Sequence, residues 1–237
     1  MNIFIQIIIG LFIGDFVTAF FHWLEDTYFS FCTENPFISQ IAKDNELHHL
    51  YPRDIVSYSN LQNMTVCLPV SIAIGLIIVF VLGKQRSLDY KYLLITLFII
   101  GSIVNILHKY SHTRECETPF LLQMLQQSHL LVGHEHHSKH HQESPDAKYA
   151  IVFPITNIVL DNLCIWKILE KVIEIVIRIK PTRKLRHLEY IDRLTQEGSE
   201  SAIEELHAKS LATCPEKLNM GDIGELKNEL EKYYACA

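Results

Sequence analysis

Long apolar runs constrain this chain most. Asn2–Leu24, Met64–Leu82 and Tyr92–Leu107 are almost free of charge, whereas charge is dense after Lys180. At about 1.5 Å per helical residue, the first run can cross a hydrocarbon layer about 30 Å thick. It lacks an early basic stretch and a small-residue cleavage site, so it reads as a retained helix rather than a signal peptide. The second and third runs are joined by a short loop, 83–89. A fourth segment, Ala150–Ile179, is apolar in its first half. In its second half charge alternates with Ile and Val at helical spacing. It fits a span followed by an interfacial helix, or a wholly interfacial or re-entrant element. The expected architecture is all-α and integral to a membrane. It has three to four transmembrane helices within 1–180 and a charged helical tail of unknown role over 181–237.

Apolar residues make up 49% of the chain and charged ones 20%, so the charge must be segregated from the spans. The net charge of -6 and the lack of a basic stripe interleaved with aromatics exclude a nucleic-acid partner. The six cysteines form no C-x-x-C pair and read as free thiols in a reducing compartment.

Histidine is the outlier, with 13 residues. Most fall in four groups: His22; His48-His49; His108 and His112; and His134, His136-His137 and His140-His141. With the N-terminus on face A, span one ends at His22 on face B. The segment carrying His48-His49 stays there. Spans two and three form a return trip that delivers His108 and His112 to face B, where the chain remains through His141. All four groups are therefore expected at one face. Face B loops hold Lys43, Arg53, Lys109, Arg114, Lys139 and Lys148, and face A holds Lys84, Arg86 and Lys91. The positive-inside rule then makes face B cytoplasmic, with glycosylation at the sequon Asn63-Met64-Thr65 as a test.

Spacing nominates particular residues. Asp15, His22 and Asp26 share one helix face, and a carboxylate inside a span is a functional suspect by default. The alternative is that Asp15 only hydrogen-bonds a neighbouring helix. His22 is expected as a metal ligand, with Asp26 as a ligand or as the group orienting an imidazole. His108 and His112 stand one helical turn apart, with Asn105 on their face. In the block 136–141, His136 pairs with His140 and His137 with His141 on a helix. His48-His49 supplies another pair from a loop. Eight or more histidines are too many for one ion, and two ions with about four each fit better. Imidazole alone does not choose between zinc, copper, iron and nickel. The setting favours oxygen activation against a lipid chain, because acid–base groups do not break an unactivated C–H bond. No G-x-S-x-G, P-loop, H-E-x-x-H or Rossmann glycine pattern is present.

These motifs resemble the Kua-type lipid desaturase family, which includes plasmanylethanolamine desaturase and a plastid phosphatidylglycerol fatty-acid desaturase. The matching residues are Asp15 followed by His22-Trp23-x-x-Asp26; His48-His49-x-x-Pro52 with Asn63; and His108-x-x-x-His112. Leu125-Gln126 leading to His137-x-x-His140-His141, and Tyr149-x-Ile151 with Asn157, complete them. The resemblance implies a di-iron centre, O2 as oxidant and a reduced carrier such as cytochrome b5 or ferredoxin. It implies a phospholipid or ether-lipid substrate that gains a double bond, and residence in the endoplasmic reticulum membrane. Carried over, the ligands are His22, His48, His49, His108, His112, His137, His140 and His141, with His136 of second rank and His129 shared only with plasmanyl-type enzymes. Asp15, Asp26 and Asn105 are the supporting catalytic candidates. Tyr58, Ala150, Phe29 and Pro154 depart from the family pattern where the lipid path could be reshaped. Two other readings stay open at this point: a histidine-box lipid hydroxylase, and a non-enzymatic membrane protein binding metal or haem.

Overall fold

The computed structural model describes residues 1–29, 33–50, 52–142 and 147–181, and the expected helical tail falls beyond them. The described residues form helices α1 (Ile3–Tyr28), α2 (Pro36–Leu50), α3 (Asp54–Ser57), α4 (Asn60–Asp89) and α5 (Lys91–Ser111). After these come α6 (Phe120–Gln127), α7 (His134–Gln142), α8 (Pro154–Asn162) and α9 (Ile165–Val176). Among the described residues the regular secondary structure is all-helical, as expected. Three helices, α1, α4 and α5, are long and apolar enough to cross a membrane. A helix suits that role because it satisfies its backbone polar groups internally.

The fourth apolar segment does not form one helix. It breaks at Leu163 and Cys164, where Cys164 takes a left-handed conformation (φ 52). The nine residues of α8 and twelve of α9 are each too short to span. The loop expected at 83–89 is instead helical, offset from the rest of α4 by a kink at Gly83 (φ 75, ψ 166). Glycine is the residue that takes such a positive φ without a Cβ clash.

The chain divides into two compact units. The first comprises Met1–His22 and Val56–Leu163, and its frame is α1, α4 and α5. α1 and α5 run parallel in a fixed register. Gln6 Nε2 donates to Asp89 O (3.0 Å), just ahead of α5. A turn later Gly10 faces Thr96, and a turn after that Gly14 faces Ile100. Further along, the His22 and His108 rings stand 5.5 Å apart. The partners are the same number of residues apart at the last three steps, so the two helices climb together. The small-xxx-small pair Gly10 and Gly14 permits this approach. A Cβ on Gly10 would lie 2.8 Å from Thr96 Cβ, whereas one on Gly75 in α4 would meet nothing within 4 Å. Gly10→Leu is therefore expected to lower stability by roughly 1–3 kcal/mol, and Gly75→Leu to leave it unchanged. Thermal melting in detergent checks the contrast, and equal melting temperatures would remove the close-packing account.

α4 opens with a capping box, Ser59 with Gln62, and its apolar face is open, as at Phe80, Val81 and Leu76, which suits contact with lipid. Asn63 is buried in the first turn and donates to Tyr58 O and Ser59 O, so the sequon at 63–65 is not presented for glycosylation. In the second unit, Trp23 stacks on Trp166 of α9 (5.7 Å between centroids), and both are buried. Cys164 is a free thiol as expected, but Cys116 is disulfide-bonded.

Candidate metal centre

α1 brings His22, and α5 brings His108 with His112 at its C-cap, to the same end of the first unit, and α7 adds His137, His140 and His141. The Nε2 atoms of four rings form a chain of contacts: His112 to His108 at 3.1 Å, His108 to His137 at 2.9 Å, and His137 to His141 at 3.3 Å. One ligand atom from each of these four lies within 4.8 Å of all the others. Ligands about 2.0–2.1 Å from one ion stand about 3.0–3.4 Å from their neighbours, and the observed spacings are of that size. A neutral imidazole offers one N–H and one lone pair. Hydrogen bonds alone could satisfy this row only by sharing protons, whereas a cation accepts every lone pair. His137 is fully buried, and burial holds it well below the usual imidazole pKa, with His112, His108, His140 and His22 pushing the same way. It is thus kept in the neutral form that binds metal.

Two further rings of the same unit are oriented through their far nitrogens. His22 Nδ1 donates to Tyr149 O (3.0 Å), and His140 Nδ1 donates to Ala147 O (2.7 Å). A backbone acceptor at Nδ1 fixes the tautomer and leaves the lone pair on Nε2. The ligand atoms of His22 and His140 lie within 4.8 Å of each other.

The carbonyl that orients His22 belongs to a largely buried non-helical strap, Tyr149–Phe153. Asp15, fully buried two turns before His22, accepts from Val152 N with Oδ1 and from Phe153 N with Oδ2, both at 3.0 Å. Asn157 of α8 brackets Ala150, accepting from its N–H (2.7 Å) and donating to its carbonyl (2.8 Å). Val132 N donates to Val152 O. Asp15 therefore joins α1 to the strap, and the strap returns to α1 at His22.

His136 turns another way. Its Nε2 accepts from Asn157 Nδ2 (3.1 Å), and it belongs to neither group of ligand atoms among the described residues. Burial lowers its pKa first, then Lys148, Lys139 and His129, with Glu135 opposing. Asn105 is half-buried on α5, one turn before His108, and its side chain makes no hydrogen bond among the described residues. His129 is exposed and left-handed (φ 56) where α6 ends.

In the second unit, His48 and His49 occupy the last turn of α2 rather than a loop. His49 Nε2 donates to Asp26 Oδ1 (3.2 Å), and Asn45 Nδ2 donates to the same oxygen (2.7 Å). Asp26 thus accepts from both an imidazole and an amide of its own unit. Sequence spacing passed over Gln126 as a bridge. Its Nε2 donates to Tyr110 O (3.0 Å) beside the α5 histidines and to Val132 O (3.1 Å) ahead of α7. Its place in the Leu125-Gln126 motif was the available signal.

Fold and site together define a helical membrane protein with buried histidine clusters able to hold metal. Residues 11–184 match the lipid desaturase domain, and the chain belongs to that family. It is 30% identical over 185 residues to a probable fatty acid desaturase of Acanthamoeba polyphaga mimivirus, covering 76% of this chain and 87% of that protein. It is 25% identical to plasmanylethanolamine desaturase 1 of Mus musculus, over 74% of this chain and 66% of the mouse protein. It is 26% identical to a chloroplastic fatty acid desaturase 4-like protein of Arabidopsis thaliana, over 73% and 60%. The chain thus spans most of the viral relative but less than two thirds of the other two. No solved structure matches. The protein is a membrane lipid desaturase, an oxidoreductase acting on a lipid substrate.

Proposed function

We propose that the protein is a di-iron, O2-dependent desaturase that introduces a double bond into a lipid-borne acyl or alkyl chain. The observation that carries this reading is the row of converging Nε2 atoms from His108, His112, His137 and His141 in a chain of this family. His22 and His140, with lone pairs set on Nε2, are the further ligands of the first unit. His48 and His49 complete the set as the family resemblance implies. Asp26 orients His49, Asp15 holds the strap that orients His22, and Asn105, half-buried one turn before His108, is the third supporting residue. His136 supports the site from outside through Asn157.

Bound iron would supply the activation of O2 that removes two hydrogens from adjacent carbons. Electrons come from a carrier such as cytochrome b5 or ferredoxin, and O2 leaves as water. The residues of the chain hold the ligands neutral, fix their tautomers and keep water from the buried rings. The substrate is a phospholipid acyl chain or the alkyl chain of an ether lipid, the latter giving a vinyl ether. Residues 1–180 form the desaturase domain, 181–237 an appended tail, and the histidine face lies on the cytoplasmic side of the endoplasmic reticulum membrane.

Two measurements test this reading. Metal analysis of the purified protein is expected to find about two irons per chain, and one zinc without iron would count heavily against it. Mass spectrometry of lipids from expressing cells is expected to show a species lighter by two hydrogens. A species heavier by one oxygen would assign hydroxylation instead.

A further inference from the structure

α6 is built inside out for a helix in water. Its open face carries Phe120 (74% exposed), Leu121 (68%) and Met124 (49%), and Leu130 follows just past its end. These positions share one side of the helix at the 3.6-residue repeat. Gln126, on the opposite side, is turned inward and spends its amide on Tyr110 O and Val132 O. A surface helix facing water buries its apolar stripe and exposes its polar one. Here Gln126 is held inside beside the half-buried Leu122 and Leu125, and Phe120, Leu121 and Met124 are left outside.

We propose that α6 lies in the plane of the membrane interface, with Phe120, Leu121 and Met124 in the upper acyl region of the bilayer. The occupant of this face is lipid because the face continues a membrane boundary already present. Tyr110 is the next-to-last residue of α5, the third membrane-capable helix, so the Gln126 bond fixes α6 at the level where that helix leaves the bilayer. An apolar stripe at that level is what an interfacial helix presents to lipid. The same glutamine also holds the approach to α7 through Val132, and a Cβ on Gly133 would press to 3.2 Å from Gln126 Cβ. The helix immersed in lipid is therefore tied by one side chain to the end of α5 and to the approach to α7, two of the histidine-bearing helices. The placement stands independently of which metal or reaction the site supports.

The test adds an indole to the open face. Leu121→Trp and Met124→Trp replace exposed residues, so neither disturbs packing. Native Trp23 and Trp166 are buried, and their emission is subtracted using the parent protein. The full chain is reconstituted in phosphatidylcholine vesicles, with and without acyl chains brominated close to the headgroup. The added emission is expected to be blue-shifted and to fall about twofold or more with brominated lipid. Red-shifted, unquenched emission would place the face in water. Blue-shifted, unquenched emission at both positions would place it against protein. Either result overturns the proposal.

Discussion

His140→Ala and His108→Ala are each expected to abolish the change in cellular lipids and to lower bound metal. The loss of activity should be at least about 100-fold, since even residues that merely orient a metal ligand cost 10–100-fold. His108 is the more central of the two, because its Nε2 touches those of both His112 and His137. His140 acts from α7 with its Nδ1 already committed to Ala147 O, so truncation also removes the donor to that part-buried carbonyl. Lipid mass spectrometry and metal analysis of the same preparations decide the matter. Product that persists at parental levels in both variants would remove the metal assignment altogether. His129→Ala is the control, since that ring is exposed and outside the clusters. It should change neither readout.

Asp15→Ala is the second large effect, and it acts without touching metal. The variant leaves the buried Val152 N and the part-buried Phe153 N without their acceptor. At about 1–3 kcal/mol for each stranded group, the cost is roughly 2–6 kcal/mol. Asp15→Asn keeps one acceptor oxygen but turns an amide N–H toward a backbone N–H, so it should fall between. Both variants release the strap whose Tyr149 carbonyl sets the His22 tautomer. Bound metal is therefore expected to weaken about 10–100-fold alongside the fall in melting temperature. A destabilised Asp15→Ala protein with parental metal content would show that the strap stabilises the fold without positioning His22.

The spans were legible because lipid imposes a simple demand. A crossing helix must be apolar over its whole length, and Asn2–Leu24, Met64–Leu82 and Tyr92–Leu107 satisfy this in plain view. The division of Ala150–Ile179 was not legible. It depends on Cys164 adopting a left-handed conformation that few residues other than glycine favour, so no local signal marks it. The histidine spacing on α7 was read correctly as helical, and His137 and His141 do pair. Spacing paired His136 with His140, and could not show that Asn157, distant in sequence, bonds the His136 ring. His48 and His49 read as a loop because Pro52 follows closely, yet α2 runs on to Leu50 before it. Asp15 looked costly inside a span, and the helix-bonding alternative anticipated its use. Its partner turned out to be the backbone of a remote strap rather than a neighbouring helix.

The parallel register of α1 and α5 makes the stretch of α1 from Gly10 to His22 a ruler. Its zero is set where Gly10 meets Thr96, and its mark is read where His22 meets His108. One residue added or removed between them would swing His22 about 100° around the helix and shift it about 1.5 Å along the axis. The same change between Gln6 and Gly10 would displace Gln6 from Asp89 and Leu93 yet leave His22 beside His108. The near end of α1 thus sets only where the helix is fastened, and the packed stretch sets where the histidine stands.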